Sequence, residues 1–72
     1  MLKRERFVAK LRELGFRYKS ENENTQLWRK GTDVVFVPKN AMVDETFVRA
    51  ELIHKGGLTE AAATAFVAAE KI

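Results

Sequence analysis

The chain has 72 residues, of which 46% are hydrophobic and 10% aromatic, and this composition favours one small folded domain over a disordered segment. It has no cysteine, which excludes a disulfide framework, a thiolate nucleophile and a cysteine metal site. No apolar run is long enough for a signal peptide or a membrane span, so we expect a cytoplasmic protein that does not contact a membrane.

Basic residues are concentrated in the first part of the chain. Residues 1–30 contain nine Lys or Arg against four Glu, a balance of +5, whereas residues 31–72 contain four against six, a balance of −2. This asymmetry is typical of proteins that bind a polyanion such as nucleic acid. A mixed charged surface that only keeps the protein soluble is the alternative.

The first predicted element is an amphipathic helix. Phe7, Val8 and Leu11 recur at helical spacing, and Gly15 follows as a left-handed C-terminal cap would. The pattern predicts a helix over residues 3–14.

Three β-strands are predicted next, joined by short connections. Phe16 and Tyr18 alternate with basic residues, and residues 27–28 resume an extended pattern. Residues 34–37 are all β-branched or aromatic, and Pro38 ends this run because it cannot donate to a ladder. Short connections predict an antiparallel meander.

Two helices complete the predicted order. After a loop at residues 39–43, Asp44 is placed to cap a helix that ends at Gly56. Thr59 is placed to cap a third, alanine-rich helix. The apolar stripe expected on that helix consists of Ala62, Ala65, Phe66, Ala69 and Ile72.

The order αβββαα predicts an α+β fold, a two-layer sandwich in which helices pack a three-stranded antiparallel sheet, with residues 1–72 as a single domain. Val35 and Val37 point opposite to Val34 and Phe36, so both sheet faces carry apolar side chains. One of the two faces is therefore a candidate contact surface.

Three signatures in this order resemble the HicA (YcfA-like) family of small toxins. They are a basic helix ending in Leu14-Gly15-Phe16, a Val-rich strand ended by Pro38, and a helix that closes on Gly57-Leu58-Thr59. The resemblance covers nearly the whole chain. It implies a fold like that of double-stranded-RNA-binding domains, ribosome-independent cleavage of messenger RNA, and a HicB-type antitoxin as partner.

The active residue of the HicA family is a histidine in a Gly-Ser-His motif, followed after two residues by an aromatic. When Trp28 is placed at that aromatic, Thr25 occupies the position of the histidine. Thr25 cannot exchange a proton near neutral pH, and the only histidine, His54, is better explained as a cation near a helix C-terminus. The resemblance and the missing histidine together predict an RNA-binding domain without ribonuclease activity and without an assigned catalytic residue.

The polar residues 20–24 are expected to form an exposed loop between two strands. An active ribonuclease that uses Glu21 or Glu23 as proton acceptor remains an alternative. Two glutamates are too few ligands for a metal site, so neither a metal nor another cofactor is expected.

Basic residues on the first helix, the sheet and the second helix are the candidate nucleic-acid contacts. Three of them fall on one flank of the first helix, which in double-stranded-RNA-binding domains enters a minor groove. The alternative is the solvated face of an amphipathic helix, and the choice between RNA and DNA stays open. The candidates are Lys3, Arg6, Lys10, Arg17, Lys19, Lys39 and Arg49.

A protein-interaction module is the second hypothesis. Its partner is a HicB-like antitoxin or a second copy of the chain, which would form a homodimer. For Trp28, the alternatives are a place in the core or at its edge and a platform on which a base stacks. The candidate surface consists of Trp28, Val35, Val37 and Val67.

Overall fold

Three α-helices and five β-strands make up the computed structural model, which describes residues 1–72. In chain order they are β1 (Leu2–Lys3), α1 (Arg4–Glu13), β2 (Arg17–Glu21), β3 (Thr25–Lys30), β4 (Asp33–Pro38), β5 (Met42–Val43), α2 (Glu45–His54) and α3 (Glu60–Glu70). The helices and a three-stranded antiparallel sheet confirm the predicted α+β class. No helix has the length and apolar character needed to cross a membrane.

The main sheet has the strand order β2-β3-β4 and packs one face against the helices. Strands β3 and β4 are joined by a two-residue turn at residues 31–32, and Trp28 lies opposite Val35. Trp28, Val35 and Val37 point towards the helices and belong to a core of 13 buried residues. The other face carries Leu27 and Phe36 and is left uncovered, with Phe36 53% exposed.

Local signals in the sequence determine where the helices begin. The Asp44 carboxylate accepts a hydrogen bond from the backbone N–H of Phe47 at 2.9 Å, and the Thr59 hydroxyl accepts one from Ala62 at 3.1 Å. Both bonds satisfy an N–H group that the first helical turn leaves without a partner. The two predicted caps are confirmed. Gly15, which follows the C-terminal cap Leu14 of α1, has φ 101°, in the left-handed region expected at this position.

The segment at residues 39–43 is not the loop that was predicted. Met42 and Val43 form β5, which pairs antiparallel with β1 at the start of the chain. Leu2 lies opposite Val43 and both side chains are buried, so the pairing places two apolar residues in the core. Lys3 consequently belongs to β1, and α1 begins one residue later than predicted.

The predicted apolar stripe of α3 is also wrong. Ala63 and Val67 are the buried residues of this helix, and Phe66 packs against the core beside them. Ala62, Ala65 and Ala69 are exposed, as is Ile72. Because nearly every position of α3 is apolar, its sequence does not distinguish one face from another, and the packing partners decide.

Burial overturns the predicted interaction surface. Trp28, Val35, Val37 and Val67 all lie in the core, the first three on the sheet face that the helices cover. For Trp28, this confirms the core place that was also predicted. Side chains in the core cannot contact a second protein while the fold is intact. The alternation along β4 is as predicted, but the apolar face open to solvent is the one that carries Phe36.

Candidate nucleic-acid interface

An irregularity in β2 determines which of its side chains face the helices. The register of β2 on β3 shifts by one residue at Lys19, so that Tyr18 lies opposite Trp28 and Glu21 lies opposite Gln26. In a regular strand, residues three apart point to opposite faces. The extra residue is a β-bulge, and it brings Tyr18 and Glu21 onto the same side of the sheet.

The Glu21 carboxylate is the centre of a hydrogen-bond network on this side. It accepts bonds from Lys39 Nζ at 2.7 Å, from the Tyr18 hydroxyl at 3.0 Å and from Gln26 Nε2 at 3.1 Å. The bond from Lys39, followed by those from Tyr18 and Gln26, lowers the pKa of Glu21 below its usual value. The hydrogen bond from the Tyr18 hydroxyl to the Glu21 carboxylate raises the pKa of Tyr18.

Two arginines of α1 contact side chains of β3. Arg4 donates to Gln26 Oε1 and, through Nε, to the carbonyl of Pro38 at 2.9 Å. The Arg12 guanidinium lies over the ring of Trp28, with its carbon 5.0 Å from the ring centroid. We call the side chains joined by these contacts the Tyr18 cluster. It consists of Arg4, Arg12, Tyr18, Glu21, Gln26, Trp28 and Lys39.

A cleft of about 450 Å³ adjoins the Tyr18 cluster and shares Arg4 and Lys39 with it. Lys3 and Glu5 also line the cleft, so three cations face one carboxylate. Lys3 and Lys39 were both predicted as nucleic-acid contacts, and the structure brings them together. Arg4 is not among the predicted contacts, because the helical period places it off the flank shared by Lys3, Arg6 and Lys10.

Four of the predicted contacts are held by carboxylates of the protein itself. One of them is Lys39, which pairs with Glu21 at 2.7 Å. Arg6 pairs with Glu70 at 3.6 Å, and Arg49 pairs with Glu60 at 3.0 Å. Lys10 pairs with Glu13 at 3.4 Å and also lies over the ring of Phe66. The flank of α1 predicted as one basic ridge is therefore directed in part towards α3.

The cations without an ion pair form a different set. Six of the thirteen Lys and Arg side chains have a carboxylate within 4.0 Å. The other seven all lie on β1, α1 and the β2–β3 hairpin. We call them the unpaired cations. They are Lys3, Arg4, Arg12, Arg17, Lys19, Arg29 and Lys30.

Several unpaired cations meet where α1 ends and the hairpin begins. Arg17 and Arg29 are direct neighbours across β2 and β3. Arg17 donates to the carbonyl of Arg12 at 3.2 Å, and the Lys30 side chain passes close to Gly15. The carbonyl end of α1 carries partial negative charge, which favours cations at this place. Of these four, only Arg17 was predicted.

Thr25 closes the β2–β3 turn. The Asn22 side-chain oxygen accepts from the Thr25 hydroxyl at 3.1 Å and from the backbone N–H groups of Asn24 and Thr25 at 2.8 Å. The turn comprises residues 22–24 only, because Ser20 and Glu21 extend β2. The expectation of a longer exposed loop at 20–24 is corrected accordingly.

The remaining titratable candidates stand apart from the cluster. His54 is the exposed last residue of α2, and it makes no hydrogen bond or ion pair. Glu23 lies in the β2–β3 turn, where its side chain has no partner. No three His, Cys, Asp or Glu side chains come together as a ligand set for a metal ion.

No family model, curated protein or solved structure matches this chain. A functional proposal therefore rests on the geometry of the Tyr18 cluster and on the placement of the unpaired cations.

Proposed function

We propose that this chain is a HicA-like RNA-binding domain that holds the phosphate backbone without cleaving it. The observation that carries the proposal is the placement of the seven unpaired cations, all within the first 30 residues. The order of one helix, a three-stranded antiparallel sheet and two further helices is compatible with a fold like that of double-stranded-RNA-binding domains.

Cations without a carboxylate partner are the ones that can neutralise phosphate at low cost. A lysine already paired with a glutamate must give up that contact before it binds RNA. Lys3, Lys19 and Lys30 have no ion pair or side-chain hydrogen bond to give up, so their binding releases only a counterion held by the nucleic acid. Cations on α1 and the hairpin therefore supply an affinity that depends on salt and little on sequence.

Two features support binding without cleavage. RNA cleavage without a metal needs a proton acceptor and a proton donor whose pKa values lie near the working pH. Thr25 supplies neither, and its hydroxyl is committed to the turn. In the Tyr18 cluster, the pKa of Glu21 is lowered and that of Tyr18 is raised, so both move away from neutral pH.

A comparison of two triple variants with equal charge tests the proposal. In the first, Lys3, Lys19 and Lys30, all unpaired, are changed to Gln. In the control, Lys10, Lys55 and Lys71, all within 4.0 Å of a glutamate, are changed to Gln. RNA affinity is measured by fluorescence anisotropy as a function of salt.

The unpaired triple variant is expected to bind more weakly and to lower the slope of log K against log salt by about 2 for a single strand. The control has the same net charge and should change the slope less. Equal effects of the two variants would show that net charge alone matters. Absence of salt-dependent binding by the unchanged protein would refute the proposal, and RNA fragments in the mixture would refute the inactive assignment.

A protein partner is the second candidate function, and the uncovered face of the sheet favours it. Leu27, Val34 and Phe36 lie together on that face, with Phe36 53% exposed. We propose a HicB-like antitoxin or a second copy of the chain as the occupant. Sedimentation of the protein alone and with its neighbouring gene product, with and without Phe36→Ser, tests this, and unchanged association of the variant would argue against it.

A further inference from the structure

Tyr18 is the one aromatic residue of the Tyr18 cluster that is open to solvent. Tyr18 is 48% exposed, whereas the neighbouring Trp28 is 3% exposed. An exposed aromatic ring among cations is the combination by which proteins bind single-stranded nucleic acid, with bases stacked on the ring and phosphates held by the cations. The surroundings of Tyr18 decide whether its ring suits this use.

The Tyr18 ring is held from two sides although it is exposed. Its hydroxyl donates to Glu21 at 3.0 Å, and its ring meets Trp28 edge to face, with centroids 6.0 Å apart and an interplanar angle of 78°. Glu21 is fixed in turn by Lys39 and Gln26. The ring therefore has its orientation before any ligand arrives, and little conformational freedom is lost when a base stacks on it.

Tyr18 and Trp28 pack edge to face, since their ring planes are nearly perpendicular. The Arg12 guanidinium lies over the indole, 5.0 Å from its centroid. Tyr18 thus keeps half of its surface in solvent while Trp28 stays buried.

An unpaired cation lies next to Tyr18 in the cluster. Arg12 of α1 and Tyr18 both contact the ring of Trp28, whereas Lys39 is paired with Glu21 and holds the cluster together. A phosphate next to a base that is stacked on Tyr18 would therefore meet the Arg12 guanidinium. A duplex cannot use such a ring, because its bases are already stacked and paired.

We propose that Tyr18 is a stacking platform for one unpaired base of single-stranded RNA, with a neighbouring phosphate held by Arg12. This rests on the proposed RNA-binding function and narrows it to single strands. Stacking accepts any base, since every base has a π face, so the site selects for an accessible base and not for a sequence.

The experiment compares two RNA probes of equal charge, heptauridylate and an abasic ribose-phosphate chain of the same length. The unchanged protein should bind heptauridylate about five- to 150-fold more tightly. Tyr18→Ala should remove this preference and leave the affinity for the abasic chain unaltered. Tyr18→Phe, which keeps the ring, should retain most of the preference.

Phe36→Ala is the matched control, because Phe36 is equally exposed but lies on the other face of the sheet. It should leave the preference intact. Circular dichroism checks folding, and Tyr18→Leu replaces Tyr18→Ala if the alanine variant unfolds. The stacking proposal is overturned if Tyr18→Ala weakens both probes equally, if Phe36→Ala removes the preference, or if the unchanged protein binds both probes alike.

The outcomes also separate the two proposals. Salt-dependent binding of both probes with no preference for bases refutes stacking and leaves backbone binding in place. Failure to bind either probe at low salt refutes backbone binding, and stacking fails with it.

Discussion

At the scale of single residues, Tyr18 and Glu21 form the contact on which the candidate site depends. The tyrosine hydroxyl donates to the carboxylate. This bond therefore favours a protonated Tyr18 and an ionised Glu21. The pKa of Tyr18 is raised mainly by this hydrogen bond, and that of Glu21 is lowered by donors from Lys39, Tyr18 and Gln26.

Glu21→Gln should therefore lower the pKa of Tyr18 towards its ordinary value of 10.0, since the negative charge that disfavours the phenolate is removed. Tyr18 is the only tyrosine, so the ultraviolet absorbance of tyrosinate reports its titration directly. Glu23→Gln is the control, because it removes a carboxylate from the adjacent turn that does not contact Tyr18. Identical midpoints for the two variants would contradict the contact.

Sequence reasoning predicted only part of this site, for a local reason. Lys3, Lys39 and Arg17 were predicted from charge and position. The sequence places Tyr18 in a strand by its alternation with basic residues, and Glu21 in a loop because residues 20–24 are polar. Even within one regular strand, residues three apart would point to opposite faces. A one-residue shift in register leaves no signal in composition or periodicity, so only the structure brings these two side chains together.

At the scale of elements, the helix starts are determined by short side chains that the sequence displays plainly. Asp44 and Thr59 each bond an N–H group three residues further on, and both were predicted. The two-residue strands β1 and β5 were not predicted, because two residues are too few to show a period. Local hydrogen bonds can thus be predicted from the sequence, whereas pairing between distant short segments cannot.

Asp44→Ala should lower the free energy of unfolding by about 0.5 to 2 kcal/mol, because the N–H of Phe47 loses its partner. Urea denaturation followed by the fluorescence of Trp28, the only tryptophan, measures the change. Asp44→Asn keeps a side-chain oxygen at the cap and should cost much less. A large loss of stability in the asparagine variant would point to the charge of Asp44 instead of the cap.

At the scale of the whole molecule, β1 ties together parts of the chain that are far apart in sequence. Leu2 pairs with Val43 ahead of α2 and also bridges to Lys71 after α3, and its side chain is completely buried. The alternation along β4 could be predicted, but not which of its faces would be covered. Which face is covered depends on where the three helices pack. The positions of the helices cannot be predicted from any one segment of the sequence.

Leu2→Ala should lower the free energy of unfolding by about 2 to 5 kcal/mol, the range for a buried leucine that leaves a cavity. A domain of this length has about 4 to 11 kcal/mol in total, so the loss is a large fraction of it. Lys3→Ala, at the neighbouring exposed position of β1, should change stability little. Equal denaturation midpoints for Leu2→Ala and the unchanged protein would contradict the role of β1.

Because of the bulge at Lys19, we expect the contact between Tyr18 and Glu21 to survive substitutions at position 19 but not a deletion of this residue. The side chain of Lys19 has no partner, yet its backbone is the extra residue that puts Tyr18 and Glu21 on one face. A library of substitutions at this codon should therefore leave the tyrosine titration unchanged, whereas deletion of the codon should abolish its upward shift. In a gene under selection for this site, the number of codons between 18 and 21 would stay constant, and codon 19 would be limited only by the positive charge that RNA binding needs.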